Sequence, residues 1–191
     1  AVDLRQTLRR GLERGGEITR LAELTRRVRP RPLIVLADIS GSMAGYSRLL
    51  FHFLYGLKTA HSMPVEVFAF GTRLTRISRQ LESRHVDRAL RDAAAQVVDW
   101  AGGTRIGECL GRFNIDWRNR VIGRGAVVLL ISDGWDRGDP TLLGREMARL
   151  RRSVASVLWL NPLAGQPGFV PATQGLQAAL PHVDDLLPAH N

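Results

Sequence analysis

Asp38, Ser40 and Ser42 stand at alternating positions directly after an apolar run over residues 33–37. Thr104 lies in the loop "GGTRIG", and Asp133 follows a second apolar run, residues 126–131. All five side chains carry hard oxygen donors, and no His or Cys belongs to the group. Such donors suit magnesium, with manganese or calcium possible, and do not suit zinc or copper. Magnesium tends to keep waters or outside ligands in its shell. A position open to solvent would therefore accept a carboxylate from another protein. That is binding chemistry and needs no catalytic base. Asp38 or Ser40 alone would more often cap a helix starting near Tyr46. Thr104 and Asp133, each at a fitting place, turn the balance towards metal.

The elements that must position these residues are legible from pattern. Residues 33–37 and 126–131 read as strands buried on both faces, and residues 154–160 as another. Pro64 precedes a strand over 65–70. The alternating "TRLTRIS" of residues 72–78 then predicts a partly exposed strand, antiparallel to it across a short turn. Helices are expected over 4–14, 17–27, 46–61, 85–100, 105–117, 139–152 and 174–180. The helix over 46–61 is apolar on most sides and is expected to be largely buried. Asp139 and Pro140 form an N-cap and first-turn pair. Beyond residue 180 the chain reads as thinning out.

Alternation of strands and helices predicts an α/β fold of Rossmann-like, doubly wound type, with a mostly parallel sheet and one antiparallel edge strand. Ligands in such sheets bind beyond the carboxyl ends of strands where the strand order reverses. Asp38, Ser40, Ser42 and Asp133 sit at such ends. Three regions are expected: a basic leader over 1–31, a metal-binding domain over 32–165, and an extension over 166–191.

Asp-x-Ser-x-Ser, a distant Thr and a later Asp resemble the metal-ion-dependent adhesion site of von Willebrand factor A domains. The match lies at Asp38, Ser40, Ser42, Thr104 and Asp133. The resemblance implies that the hydroxyls bind the metal directly and that the two aspartates act directly or through water. A narrower similarity rests on "LRQTLRRGLERGGE", "RPRPLIVLADISGSM", "GGTRIGECL" and "LLISDGWDRGDP". These resemble the CoxE-like subgroup, bacterial cytoplasmic proteins associated with carbon monoxide dehydrogenase gene clusters. That resemblance implies a MoxR-type AAA+ ATPase as partner and a role in metalloenzyme maturation. It also implies a longer chain with this domain at its C-terminal end, in keeping with the absent initiator Met.

Residues around the five carry weaker signals. Asp136 is read first as a solvated loop acid, with contact to the site as the alternative. Arg105 is as much a surface residue as a contact for an incoming carboxylate. Trp135 could stand at the rim as a contact anchor. "RGD" at residues 137–139 is better explained by Asp139 as a cap than as an adhesion motif. Cys109 reads as a packed thiol.

Composition narrows the function classes. The 191 residues are 45% hydrophobic and 24% charged, as in ordinary globular domains. No apolar run is long enough for a membrane span, and the single Cys fits a reducing cytoplasm. Net charge is +9, and Lys58 is the only lysine. Residues 1–31 hold nine Arg against four acids. That leader could meet a polyanion or nucleic acid, but no aromatic residues interleave its arginines as a stacking platform requires. Enzyme action is the third reading, a phosphohydrolase using Asp38. Such enzymes place a second acid two residues on, where this chain has Ser40. No Walker motif or Ser-His-Asp spacing is present, so a non-enzymatic module is expected.

Overall fold

The computed structural model of the chain describes residues 2–13, 15, 16, 18, 20, 21, 30–60, 63–97, 103–123 and 125–189. The strands are β1 Leu33–Asp38, β2 Val65–Phe70, β3 Leu74–Arg76, β4 Val127–Ile131, β5 Ser156–Asn161 and β6 Asp185–Pro188. The α-helices are α1 Leu4–Leu12, α2 Ser47–Thr59, α3 Val86–Gln96, α4 Ile106–Arg112, α5 Arg118–Val121, α6 Pro140–Arg151 and α7 Gln174–Ala179. The sheet order is β3-β2-β1-β4-β5-β6. All pairs are parallel except β2 with β3. This is the expected α/β sheet with one antiparallel edge strand.

Alternation along each strand sends side chains to two separate cores. Ile34, Leu36, Phe68, Phe70, Val128 and Leu130 pack with Ile106, Phe113 and Met147 on one face. Val35, Ala37, Val67, Ala69 and Ile131 pack with Leu50, Phe51 and Leu54 on the other. That is why the central strands read as unbroken apolar runs: both faces are covered. β1 pairs with β2 on one side and β4 on the other. The crossovers from β1 therefore run in opposite directions, and a crevice opens at the carboxyl ends of β1 and β4.

Several expectations need correction. The helix read over 46–61 is α2, Ser47–Thr59, and a 3₁₀ turn over Gly41–Tyr46 that the pattern did not predict leads into it. It is buried along one stripe, not on most sides: Leu49 is 62% and Phe53 42% exposed. The helix read over 105–117 is α only to Arg112, then a π-turn over Phe113–Trp117, then α5. Both aromatic ends of the π-turn reach Phe68, with ring centroids 5.3 Å away and edge-on geometry. β6 escaped the reading because "DDLLP" has only two apolar residues and borders solvent on one side. The expected helix over 17–27 falls largely outside the described residues, as does the end of the one over 85–100.

Candidate metal centre

Register places the first contact. Ala37 pairs with Ile131, so the next residues, Asp38 and Ser132, face each other across the crevice. Ser132 Oγ donates to Asp38 Oδ2 at 2.7 Å and accepts from the Gly134 N–H at 3.0 Å. Asp38 Oδ1 accepts from the Ser40 N–H at 2.9 Å. Asp38 is fully buried. Burial pushes its carboxyl up to about 6; the hydrogen bonds from Ser132 and Ser40 oppose this, and the nearby Asp133 charge adds slightly to it.

Ser40 occupies the N-cap position of the 3₁₀ turn, yet its side chain makes no capping bond. Its hydroxyl lies 3.1 Å from that of Ser42 instead. The cap reading therefore fails for Ser40, and two hydroxyls share one spot beside a buried carboxylate.

Thr104 arrives from the far side. Gly103 before it has φ +87, a conformation that glycine adopts without steric cost. Thr104 is buried, and its carbonyl accepts from the Arg137 N–H at 2.9 Å. Asp133 is buried too; its Oδ1 accepts from the Trp135 N–H at 3.0 Å. The backbone of that loop is propped from β5. Trp159 Nε1 donates to the Ser132 carbonyl at 2.9 Å, and Asn161 Nδ2 to the Asp133 carbonyl at 3.1 Å.

Ser40, Ser42, Thr104, Trp135, Asp136, Arg137 and Thr173 line one open cavity of about 370 Å³. Asp38 and Asp133 are not among its lining residues: Asp38 is tied to the wall through Ser40, and Asp133 through Trp135. Among the described residues no three His, Cys, Asp or Glu side chains gather as a metal site. A cation here must rely on the hydroxyls, and the donor set fits a hard divalent ion.

The neighbours differ from expectation. Asp136 is not a solvated loop acid. It is half-buried, and its Oδ1 accepts from the N–H groups of Ile106 and Gly138, both at 3.0 Å. It thus caps α4 from another loop and ties the Thr104 segment to the Asp133 segment. A Cβ on Gly175 would come 2.9 Å from Asp136 Cβ, so α7 backs this wall closely. Arg105 is exposed, pairs with Glu108 at 2.9 Å and does not line the cavity. Trp135 is 64% exposed at the rim. Asp139 caps α6 through the Thr141 N–H at 2.9 Å. Cys109 is buried, with its thiol pushed up to about 12 chiefly by that burial.

Ser132, Arg137 and Thr173 were not among the sequence candidates. Ser132 was findable: a hydroxyl that ends one parallel strand beside an acid ending the next is set by register alone. Ser132→Ala leaves Asp38 Oδ2 without its donor and Gly134 without its acceptor. Metal affinity is expected to fall about 10- to 100-fold, as for other partners that orient ligands. Calorimetric titration with magnesium checks this.

A family model described as "VWA domain containing CoxE-like protein" matches residues 1–191. No curated protein matches the sequence. A solved von Willebrand factor type A protein from Catenulispora acidiphila superposes with a TM-score of 0.60 at 13% identity, over 90% of this chain and 40% of that one. Proximal thread matrix protein 1 from the mussel byssus gives 0.58 at 17% identity, over 83% and 43%. A form of the mussel protein described as having a zinc-occupied MIDAS motif gives 0.57 at 17% identity, over 84% and 44%. The chain thus spans less than half the length of each of these structures.

Proposed function

Because this chain belongs to the family of VWA domain containing CoxE-like proteins, we propose that it grips a partner protein through a divalent cation. Asp38, Ser40, Ser42, Thr104 and Asp133 would hold the ion at the carboxyl edge of the sheet. The observation that carries this reading is the pair of serine hydroxyls 3.1 Å apart in the cavity wall, above a fully buried carboxylate. The zinc-occupied site of the mussel neighbour supports a divalent ion in this fold. The donor chemistry here favours magnesium, with manganese or calcium next.

A bound cation supplies an open coordination position that takes an oxygen from outside the chain. The residues do the rest. Asp38 and Asp133 would balance the charge, the hydroxyls of Ser40, Ser42 and Thr104 would add donors without adding charge, and a position would stay open on the cavity side. Neither aspartate is free to act as a base while it holds a metal, so the reading is non-enzymatic. The proposed partner presents a carboxylate and is a MoxR-type AAA+ ATPase. The proposed task is cytoplasmic maturation of a metalloenzyme of the carbon monoxide dehydrogenase kind. Family membership supports that assignment. Among the described residues no helix is long and apolar enough to cross a membrane.

The test is binding of a purified MoxR-type ATPase to the immobilised chain. Binding is expected in magnesium and release in EDTA. Binding unchanged by EDTA contradicts the metal bridge. A chain that binds metal yet ignores the ATPase keeps the bridge and removes that partner.

A further inference from the structure

Arg137 stands at the cavity wall with a guanidinium that has no hydrogen bond or ion pair among the described residues. Its backbone is tied to the Thr104 loop, and its exposed arm passes close over Gly103. Its N–H donates to the Thr104 carbonyl at 2.9 Å. Its arm lies across Gly103, where a Cβ would sit 2.9 Å from Cδ and 3.2 Å from Nε. Any other residue at 103 would push the arm away, so the missing side chain is what lets the cation rest beside the Thr104 loop.

The other charges nearby are already engaged or turned away. Arg105 is spent on Glu108. Asp136 gives one oxygen to two backbone N–H groups, and its other oxygen is buried without a partner. The Asp136 carboxylate therefore does not pair with Arg137. Arg137 is exposed, so a lone carboxylate bridging to a metal would leave its guanidinium to water.

We infer that the partner is held through two acidic side chains, one completing the metal and the other forked on Arg137. A guanidinium offers paired N–H donors in the planar geometry that a carboxylate accepts. The recognised feature is then a pair of neighbouring acids, not a single one. This rests on the metal-bridge reading above.

The test uses two blocked peptides, Ac-Gly-Glu-Gly-NH2 and Ac-Gly-Glu-Glu-Gly-NH2, titrated into the protein in magnesium and followed by NMR shifts. The wild-type chain is expected to bind the diacid about fivefold more tightly, the scale of a partly exposed ion pair. Arg137→Gln should erase that preference, leaving mono-acid binding and magnesium affinity unchanged. Arg91→Gln, on exposed α3 surface, removes an equal charge and should keep the preference. Equal binding of the two peptides by the wild-type chain overturns the inference while leaving the metal reading intact. So does an equal loss in both variants, which would mean diffuse charge attraction, and so does a loss of magnesium affinity in Arg137→Gln. A wild-type chain that binds no magnesium overturns both readings.

Discussion

Asp38→Asn is expected to abolish metal binding and yet make the metal-free protein more stable at pH 8. The first half follows from the proposed ligand set. Losing an ionised ligand at the base of the site should cost at least about a hundredfold in affinity, more than losing an orienting partner. The second half follows from burial. The Asp38 carboxyl is pushed from 3.8 up to about 6, so the folded chain holds that proton more tightly than the unfolded chain. The contribution to stability is complete below about pH 4 and is lost as pH rises through 6. Above that the folded state carries a buried charge that its hydrogen bonds offset only in part, at a net cost of about 3 kcal/mol. Asparagine has no such charge to lose. Chemical denaturation of both chains in EDTA, at pH 4 and pH 8, checks the sign. Wild type should weaken between the two pH values relative to the variant, and magnesium should restore it at pH 8 only. An Asp38→Asn chain less stable than wild type at pH 8 in EDTA would contradict this account.

The same carboxylate shows how far sequence reasoning reaches. Residues 33–37 could be read as a buried strand because both its faces are covered, and an acid ending such a strand stands out. Asp133 was legible for the same reason at the end of β4. Thr104 was legible through the glycines beside it. What pattern could not supply was direction. Arg105 was read as much a surface residue as a contact for an incoming carboxylate, and Arg137 was read only as part of "RGD". In the fold, Arg105 opens α4 and turns to Glu108 one turn on, whereas Arg137 lies back over Gly103. Asp136 was misjudged for a related reason. Nothing local marks an acid whose bond is to a backbone N–H 30 residues away. β6 was missed because a one-sided, four-residue strand carries almost no periodicity; α7 was read over 174–180, but the wall it forms behind Asp136 was not.

Two glycines on one helix give a sharper test of the packing that positions Thr104. In an exposed or roomy helical site, Gly→Ala stabilises by up to about 1 kcal/mol through helix propensity. Gly111 is such a site: the atoms nearest its Cβ would be those of the Glu146 side chain, at an ordinary 3.6–4.0 Å. Gly111→Ala should raise stability. Gly107 lies one turn earlier, where α4 presses on α6. A Cβ there would lie 2.9 Å from the Leu143 backbone N and 3.1 Å from its Cα. Backbone cannot rotate aside as a side chain can, so the helices must part. Overpacking of this kind typically costs 1–3 kcal/mol. With a backbone obstacle the upper end applies, and a net loss of about 2 kcal/mol remains after the propensity gain. In a chain of this size that corresponds to a fall of roughly 4–8 °C in Tm. The displacement also reaches the site. Thr104 is two residues before the start of α4, and Asp136 holds the first N–H of that helix. Gly107→Ala should therefore weaken magnesium binding as well as the fold, and Gly111→Ala should leave magnesium binding untouched. Melting curves in EDTA and magnesium titrations of the two variants separate these outcomes. A Gly107→Ala chain as stable as Gly111→Ala would mean that α4 and α6 are not locked together, and that Thr104 is positioned by its own loop.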